Sequence, residues 1–226
     1  MSARATAPRR RTALDLFCGT GSATAALRSR GWRVVGVDLD ARDRPTVIAD
    51  VRSWPLHVEP GSIDFLWSSP PCTEFSDANP LVEHRTKSPS LELVKATLEI
   101  VAAVRPRYWI MENVRGAIPF LGIPAQKIGP FCLWGYFPHV RATEALQLHR
   151  KWRFHDARRR AAVPRGLSEA VADALERQLD AGGPPLLDLR PPRRHRRLGP
   201  LVDKPTPMEL FGDLHKPNTP EAGKMT

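Results

Sequence analysis

Apolar and polar stretches succeed one another along this chain with the periods of strands and helices in turn. Thr12 to Phe17 is an apolar run that reads as a buried strand, and Gly19 and Gly21 break it. Ser22 to Arg30 is alanine-rich and reads as a helix stopped by Gly31. Arg33 to Val37 is a second strand ending in Asp38, and Val47 to Ala49 is a short third strand ending in Asp50. Ile63 to Trp67 is a fourth. Leu91 to Val104 places Leu91, Val94, Leu98 and Val101 on one side and predicts an amphipathic helix. Arg107 to Met111 is a fifth strand. This alternation predicts an α/β fold with a mostly parallel sheet and helices on both faces.

After Gly116 the pattern weakens. Phe131 to Trp134 reads as another strand, closed by Phe137-Pro138. Gly166 to Leu179 reads as a helix with Leu167, Val171, Ala174, Leu175 and Leu179 together. Thr73 to Ser90 is polar, carries Pro80 and Pro89, and reads as a long loop, a kind that is usually functional inside a compact domain. Beyond Gly182 proline and arginine dominate and an extended tail is expected. The expected organisation is a basic, disordered arm over 1–11, one folded domain over 12–181 and a tail over 182–226.

Composition narrows the function classes. The 226 residues suffice for one sizeable α/β domain, and 42% of them are hydrophobic. A net charge of +10 points to a polyanionic partner, nucleic acid first, although arginine-favouring codons of a GC-rich genome also raise it. No apolar run approaches the roughly 18 residues of a membrane span, and Met1 to Arg11 lacks the apolar core of a signal peptide. No membrane association is expected. The three cysteines form no paired pattern, which suits a reducing cytoplasm, and no Cys/His spacing suggests a metal site.

Two loops carry candidate chemistry. Pro70-Pro71-Cys72-Thr73-Glu74-Phe75-Ser76 follows the fourth strand, and Glu112-Asn113-Val114 follows the fifth. Two prolines hold Cys72 on a stiff loop, and a glutamate ending the next strand can face it. A thiolate adds to an electron-poor ring carbon while an acid polarises the ring. Upstream, Asp15 and Phe17 lead into Cys18-Gly19-Thr20-Gly21, a glycine turn in which the backbone can approach a ligand. Thr24 stands where a dinucleotide fingerprint has its third glycine, so a phosphate-binding loop is disfavoured. Asp38, about 20 residues on, is placed to bond ribose hydroxyls.

In this order these segments resemble the DNA (cytosine-5) methyltransferase family, and small phage- or prophage-type members in particular. The resemblance covers roughly residues 12 to 180 and is strongest from 12 to 114. It implies a Rossmann-like, S-adenosylmethionine-dependent methyltransferase fold and an enzyme that methylates cytosine C5 in DNA. Asp15, Phe17, Gly19, Gly21, Asp38, Asp50 and Pro70 would bind S-adenosylmethionine. Cys72 would add to C6 of a flipped cytosine, Glu112 would hold its N3 edge and 4-amino group, and Asn113 would fix the Cys72 loop. Ser76 matches the family's serine, and Cys18 and Cys132 are expected to be structural. The loop after Cys72, with His84, Arg85 and Lys87, would be the part that closes over the base.

The chain also departs from the family. Thr73 replaces a glutamine. Gln126-Lys127-Ile128-Gly129-Pro130 sits where a Q-x-R-x-R element is expected and has neither arginine, leaving Lys127 or Arg141 as stand-ins. Arg160-Ala161-Ala162-Val163-Pro164 resembles the closing G-N-x-V-P-P element, with Ala161 at its asparagine. The usual target-recognition domain has no room. The arginine runs 150–160 and 190–197 suit phosphates, which give affinity without sequence. The expectation is therefore weak or short sequence specificity, or specificity supplied by a protein partner, with single-stranded or locally opened DNA as a preferred substrate. The alternatives are an RNA (tRNA) cytosine-C5 methyltransferase, a sibling using a modified sulfonium cofactor, and a decayed nucleic-acid-binding accessory protein.

Overall fold

The computed structural model describes residues 9–53, 57–73, 75, 89–141 and 162–182. Seven strands form one sheet: β1 (Thr12–Leu16), β2 (Arg33–Asp38), β3 (Val47–Ile48), β4 (Phe65–Ser68), β5 (Tyr108–Val114), β6 (Gln126–Ile128) and β7 (Phe131–Tyr136). Their spatial order is β3-β2-β1-β4-β5-β7-β6. The first five in that order are mutually parallel, whereas β7 runs antiparallel to both β5 and β6. Among the described residues four α-helices accompany the sheet: α1 (Ser22–Arg28), α2 (Glu92–Val104), the single turn α3 (Ile118–Leu121) and α4 (Arg165–Asp180).

The central strands are buried on both faces, which is why they read as unbroken apolar runs. Their side chains alternate between two cores. Ala13, Phe65, Trp67, Tyr108 and Ile110 pack with α1 and α4 on one face. Leu14, Leu16, Leu66, Trp109 and Met111 pack with α2 on the other. On α2 the predicted Val94, Leu98 and Val101 are buried, joined by Thr97, Ile100 and Val104. On α4 Leu167, Val171, Ala174 and Leu175 are buried, each large one contributing about 1.5–3 kcal/mol. The fold is α/β and Rossmann-like, with helices on both faces of a mostly parallel sheet.

The predicted stop of α1 is realised as a Schellman closure. Trp32 N–H donates to the Leu27 carbonyl at 3.2 Å and Gly31 N–H to that of Arg28 at 2.9 Å. Gly31 is left-handed there, with φ at 84°. The antiparallel β7 depends on Gly135, which pairs with Ile110. A Cβ on Gly135 would overlap the Trp109 carbonyl, so only glycine lets β7 close on β5. Neither β6 nor α3 is evident in the sequence pattern, because three and four residues are too few to show a period.

Arg9, Arg10 and Arg11 are laid against the domain. Arg9 pairs with Asp64 at 2.5 Å, and Arg10 Nε donates to the Gly31 carbonyl at 2.5 Å. Arg11 pairs with Asp180, lies 3.8 Å from Glu176 and stacks its guanidinium over Trp32. The rest of the arm, most of the loop 73–90 and the tail lie outside the described residues.

Candidate active site

A cavity of about 620 Å³ opens at the carboxyl ends of β1, β2, β4 and β5. The sheet order reverses between β1 and β4, and ligands of open α/β sheets bind in the crevice at that switch point. Asp15, Phe17, Gly19, Asp38, Asp50 and Pro70 line the cavity, as do Cys72 and Glu112. Gly21 caps α1 instead, and Asn113 lies behind the wall.

The glycine loop is held from two sides. Cys18 N–H donates to the Val37 carbonyl at 3.1 Å, and Gly19 N–H to Asp38 Oδ2 at 2.8 Å. Asp38 Oδ1 accepts from Asp40 N–H at 2.8 Å. Each Asp38 oxygen thus keeps one lone pair for a hydroxyl. Phe17 adopts φ 55°, a left-handed conformation that costs a non-glycine residue about 1–2 kcal/mol. Asp15 is buried and accepts from Thr24 N–H at 3.0 Å and Thr24 Oγ1 at 2.6 Å. Burial outweighs those bonds and lifts its carboxyl to about 6. Burial, reinforced by Asp15 and Asp38, pushes the Cys18 thiol up to about 12, so that cysteine is inert.

Asp50 is engaged by a residue the sequence reading did not single out. Arg52 bonds both its oxygens, with Nη2 to Oδ2 at 2.6 Å, and reaches Glu92 of α2 at 3.3 Å. Hydrogen bonds from the Arg52 side chain and backbone lower the Asp50 carboxyl to about 2. The pairing was foreseeable only from the two-residue spacing at a strand end.

The Cys72 loop is anchored along its length. Asn113 Nδ2 donates to the Pro70 carbonyl at 3.0 Å, while Asn113 Oδ1 accepts from Val114 N–H at 2.9 Å. Phe75 N–H closes a turn onto the Cys72 carbonyl at 3.0 Å, and its ring is buried against Phe120. A Cβ on Gly116 would overlap the Phe75 carbonyl, so the loop sits directly on the chain after β5. Cys72 is half-buried, and burial followed by the charge of Glu112 pushes its thiol up. Burial lifts Glu112 to about 7 against a hydrogen bond from Ser69. A carboxyl that titrates near neutrality beside a thiol is an arrangement that acid–base chemistry can use.

Gln126 bonds the backbone of Val140 through both amide atoms, at 2.7 and 3.0 Å. Neither it, Lys127 nor Arg141 lines the cavity. Val163 and Ala162 close one side of the cavity. Glu74, Ser76, His84, Arg85, Lys87, Ala161 and both arginine runs lie outside the described residues. Among the described residues no cluster of three or more His, Cys, Asp or Glu is placed to hold a metal ion, and no helix is long and apolar enough to cross a membrane.

Comparison with known proteins agrees with this geometry. Residues 12–120 match the C-5 cytosine-specific DNA methylase family. A Frog virus 3 protein named "Probable DNA (cytosine-5)-methyltransferase" is 33% identical over 114 residues, 44% of this chain and 52% of that protein. DNA (cytosine-5)-methyltransferase 1A of Oryza sativa subsp. japonica is 33% identical over 61 residues, 27% of this chain and 4% of that one. A solved structure described as "putative DNA modification methyltransferase encoded within prophage", from Escherichia coli, is 23% identical, with a TM-score of 0.36 over 48% of this chain and 33% of that one. The chain thus spans about half the length of the viral relative and far less of the plant one. The matched stretch, residues 12–120, takes in the glycine loop, Cys72 and Glu112.

Proposed function

We propose that this protein is an S-adenosylmethionine-dependent DNA cytosine-C5 methyltransferase, with residues 12–181 as its catalytic domain. The observation that carries the reading is that Cys72 and Glu112 open onto one cavity together with the glycine loop and Asp38. The donor set suits the cofactor. Asp38 offers free lone pairs to ribose hydroxyls, the Gly19 backbone lines the cavity where a ligand could approach it, and Asp15 and Asp50 supply carboxylates for amino groups. Bound there, S-adenosylmethionine supplies an electrophilic methyl group.

The chain's own residues would do the rest. Glu112, half neutral near pH 7, hydrogen-bonds N3 of an extruded cytosine and withdraws charge from the ring. In its neutral form it also ceases to repel a thiolate, so Cys72 loses its proton more readily when Glu112 holds one. Cys72 Sγ then bonds to C6, and C5 becomes electron-rich and takes the methyl group. The C5 proton leaves to a base, the C5–C6 double bond re-forms, and Cys72 departs as thiolate. Asn113 keeps the attacking sulfur in place through Pro70.

Sequence readout is short or supplied by a protein partner. Gln126 is spent on Val140, and neither Lys127 nor Arg141 reaches the cavity. Single-stranded or opened DNA spares the cost of unstacking the base.

DNA containing 5-fluorocytosine tests the reading, because fluorine at C5 blocks the elimination that frees the enzyme. A denaturation-resistant adduct that needs both S-adenosylmethionine and Cys72 supports it, and parallel arms with single-stranded DNA, duplex DNA and RNA identify the polymer. An adduct only on RNA moves the assignment to the RNA enzymes. No adduct on any polymer leaves a nucleic-acid-binding protein.

A further inference from the structure

Glu112 has a neighbour whose role the mechanism above does not use. Strands β4 and β5 are parallel and pair Trp67 with Ile110 and Ser68 with Met111. One residue further along both strands, Ser69 and Glu112 therefore stand side by side at the cavity wall. Alternation fixes their faces. Ser68 points toward α2, where its Oγ lies 2.9 Å from Thr97 Oγ1. Trp67 and Ser69 point to the opposite face, and so does Glu112. The Ser69 backbone is fixed as well, because its N–H donates to the Leu16 carbonyl at 3.2 Å.

The indole of Trp67 is 2% exposed, and its Nε1–H donates to Ser69 Oγ at 2.8 Å. Indole nitrogen only donates, so Ser69 Oγ is the acceptor in that bond. The serine hydroxyl then has its own proton to give, and the carboxyl beside it is Glu112. The Trp67–Ser69 bond thus leaves the Ser69 hydroxyl proton to face Glu112 across the β4–β5 pair. A carboxyl oxygen that accepts from Ser69 is a poor place for an added proton. The proton of neutral Glu112 is thereby directed to its other oxygen.

We infer that Ser69, oriented by Trp67, is a positioning residue that fixes which oxygen of Glu112 carries the proton and turns that oxygen toward the substrate base. The inference rests on the proposed methyltransferase reading for the identity of the base, and on the strand register and the indole bond for the direction of donation. Ser69 touches no reacting atom. It acts through Glu112, by favouring the carboxylate against the burial that raises its affinity for a proton.

Protein labelled with 13C at glutamate side-chain carboxyls gives a direct test, with the Glu112 signal assigned from Glu112→Gln. The wild-type signal is expected to titrate near 7. Ser69→Ala removes a donor to the carboxylate and is expected to move the midpoint to higher pH. Ser69→Thr keeps the hydroxyl and should return it toward wild type, whereas Trp67→Phe, which frees the serine to rotate, should move it upward like Ser69→Ala. Single-turnover methyl transfer on DNA, run across pH with the same proteins, should show its alkaline limb moving with the carboxyl. A Ser69→Ala protein that is folded and titrates at the wild-type pH overturns the inference. A limb that stays put while the rate falls at every pH also overturns it, leaving Ser69 merely structural. If the midpoint moves as expected but wild type methylates no DNA, the Ser69 relay stands and the proposed function falls.

Discussion

Asn113 donates from its side-chain amide to the Pro70 carbonyl at 3.0 Å, across 43 residues of sequence. This bond ties the strand that ends in Glu112 to the loop that carries Cys72. Glu112 and Cys72 are therefore held relative to each other by a residue that lines no part of the cavity.

Asn113→Ala leaves the Pro70 carbonyl buried without a partner, and an orphaned buried acceptor costs about 1–3 kcal/mol. Urea unfolding should show that loss. Adduct formation on 5-fluorocytosine DNA should slow under conditions where the variant is still folded. Cys72→Ala should abolish the adduct and leave the urea midpoint near wild type. A stability loss for Asn113→Ala with an undiminished rate would separate the anchor from the chemistry.

Gly116→Ala places a methyl group where the Phe75 carbonyl lies. The backbone must yield, and the turn from Cys72 to Phe75 moves with it. A displacement on the order of 1 Å at a reacting atom is worth about 100-fold in rate. Single-turnover kinetics should show a loss of that order, with cofactor binding by calorimetry much less affected.

Stability should fall as pH rises through the Glu112 transition. Its folded-state value, about 7, lies above its ordinary 4.5. The favourable contribution is complete below the ordinary value, where both states are protonated, and is lost as pH climbs to the folded value. Asp15, raised from 3.8 to about 6, adds to the loss over a lower window. Glu112→Gln removes the larger part. The variant should match wild type at pH 4.5 and exceed it at pH 8 by up to about 3 kcal/mol. Urea midpoints at the two pH values decide it, and a variant less stable at pH 8 would show that the carboxylate is favourably placed.

Arg52 competes for Asp50. An exposed ion pair contributes little to stability, so Arg52→Ala should leave the melting temperature unchanged. It also frees Asp50 Oδ2 at the cavity rim, while Oδ1 keeps the Arg52 backbone N–H at 2.9 Å. S-adenosylmethionine should then bind several-fold more tightly by calorimetry, and weaker binding would mean that Arg52 orients Asp50 for the ligand.

The lining of the cavity was legible in the sequence wherever a residue stands near a strand end. Asp38, Cys72 and Glu112 each sit at or just beyond the end of an apolar run, Asp15 lies one residue short of the end of β1, and the parallel sheet gathers such ends at one edge. Ser69 was not legible, because its meaning comes from the register between β4 and β5, a pairing over some 40 residues that leaves no local signature. Gly116 looked like any loop glycine until Phe75 was seen packed on it. The direction of β7 likewise depends on the close approach of Gly135 to Trp109. Arginines 9 and 11 counted toward a basic arm, yet their charge is consumed by Asp64, Glu176 and Asp180.

Those arginine contacts bear on how the protein can be tethered. Arg11 precedes β1 and meets Asp180 at the end of α4, so the two points where chain enters and leaves the described body are neighbours. They lie at the end of the sheet from which β1 starts, whereas the cavity lies where β1 finishes. A fluorophore or affinity handle attached at either point would sit at the opposite end of β1 from the cavity.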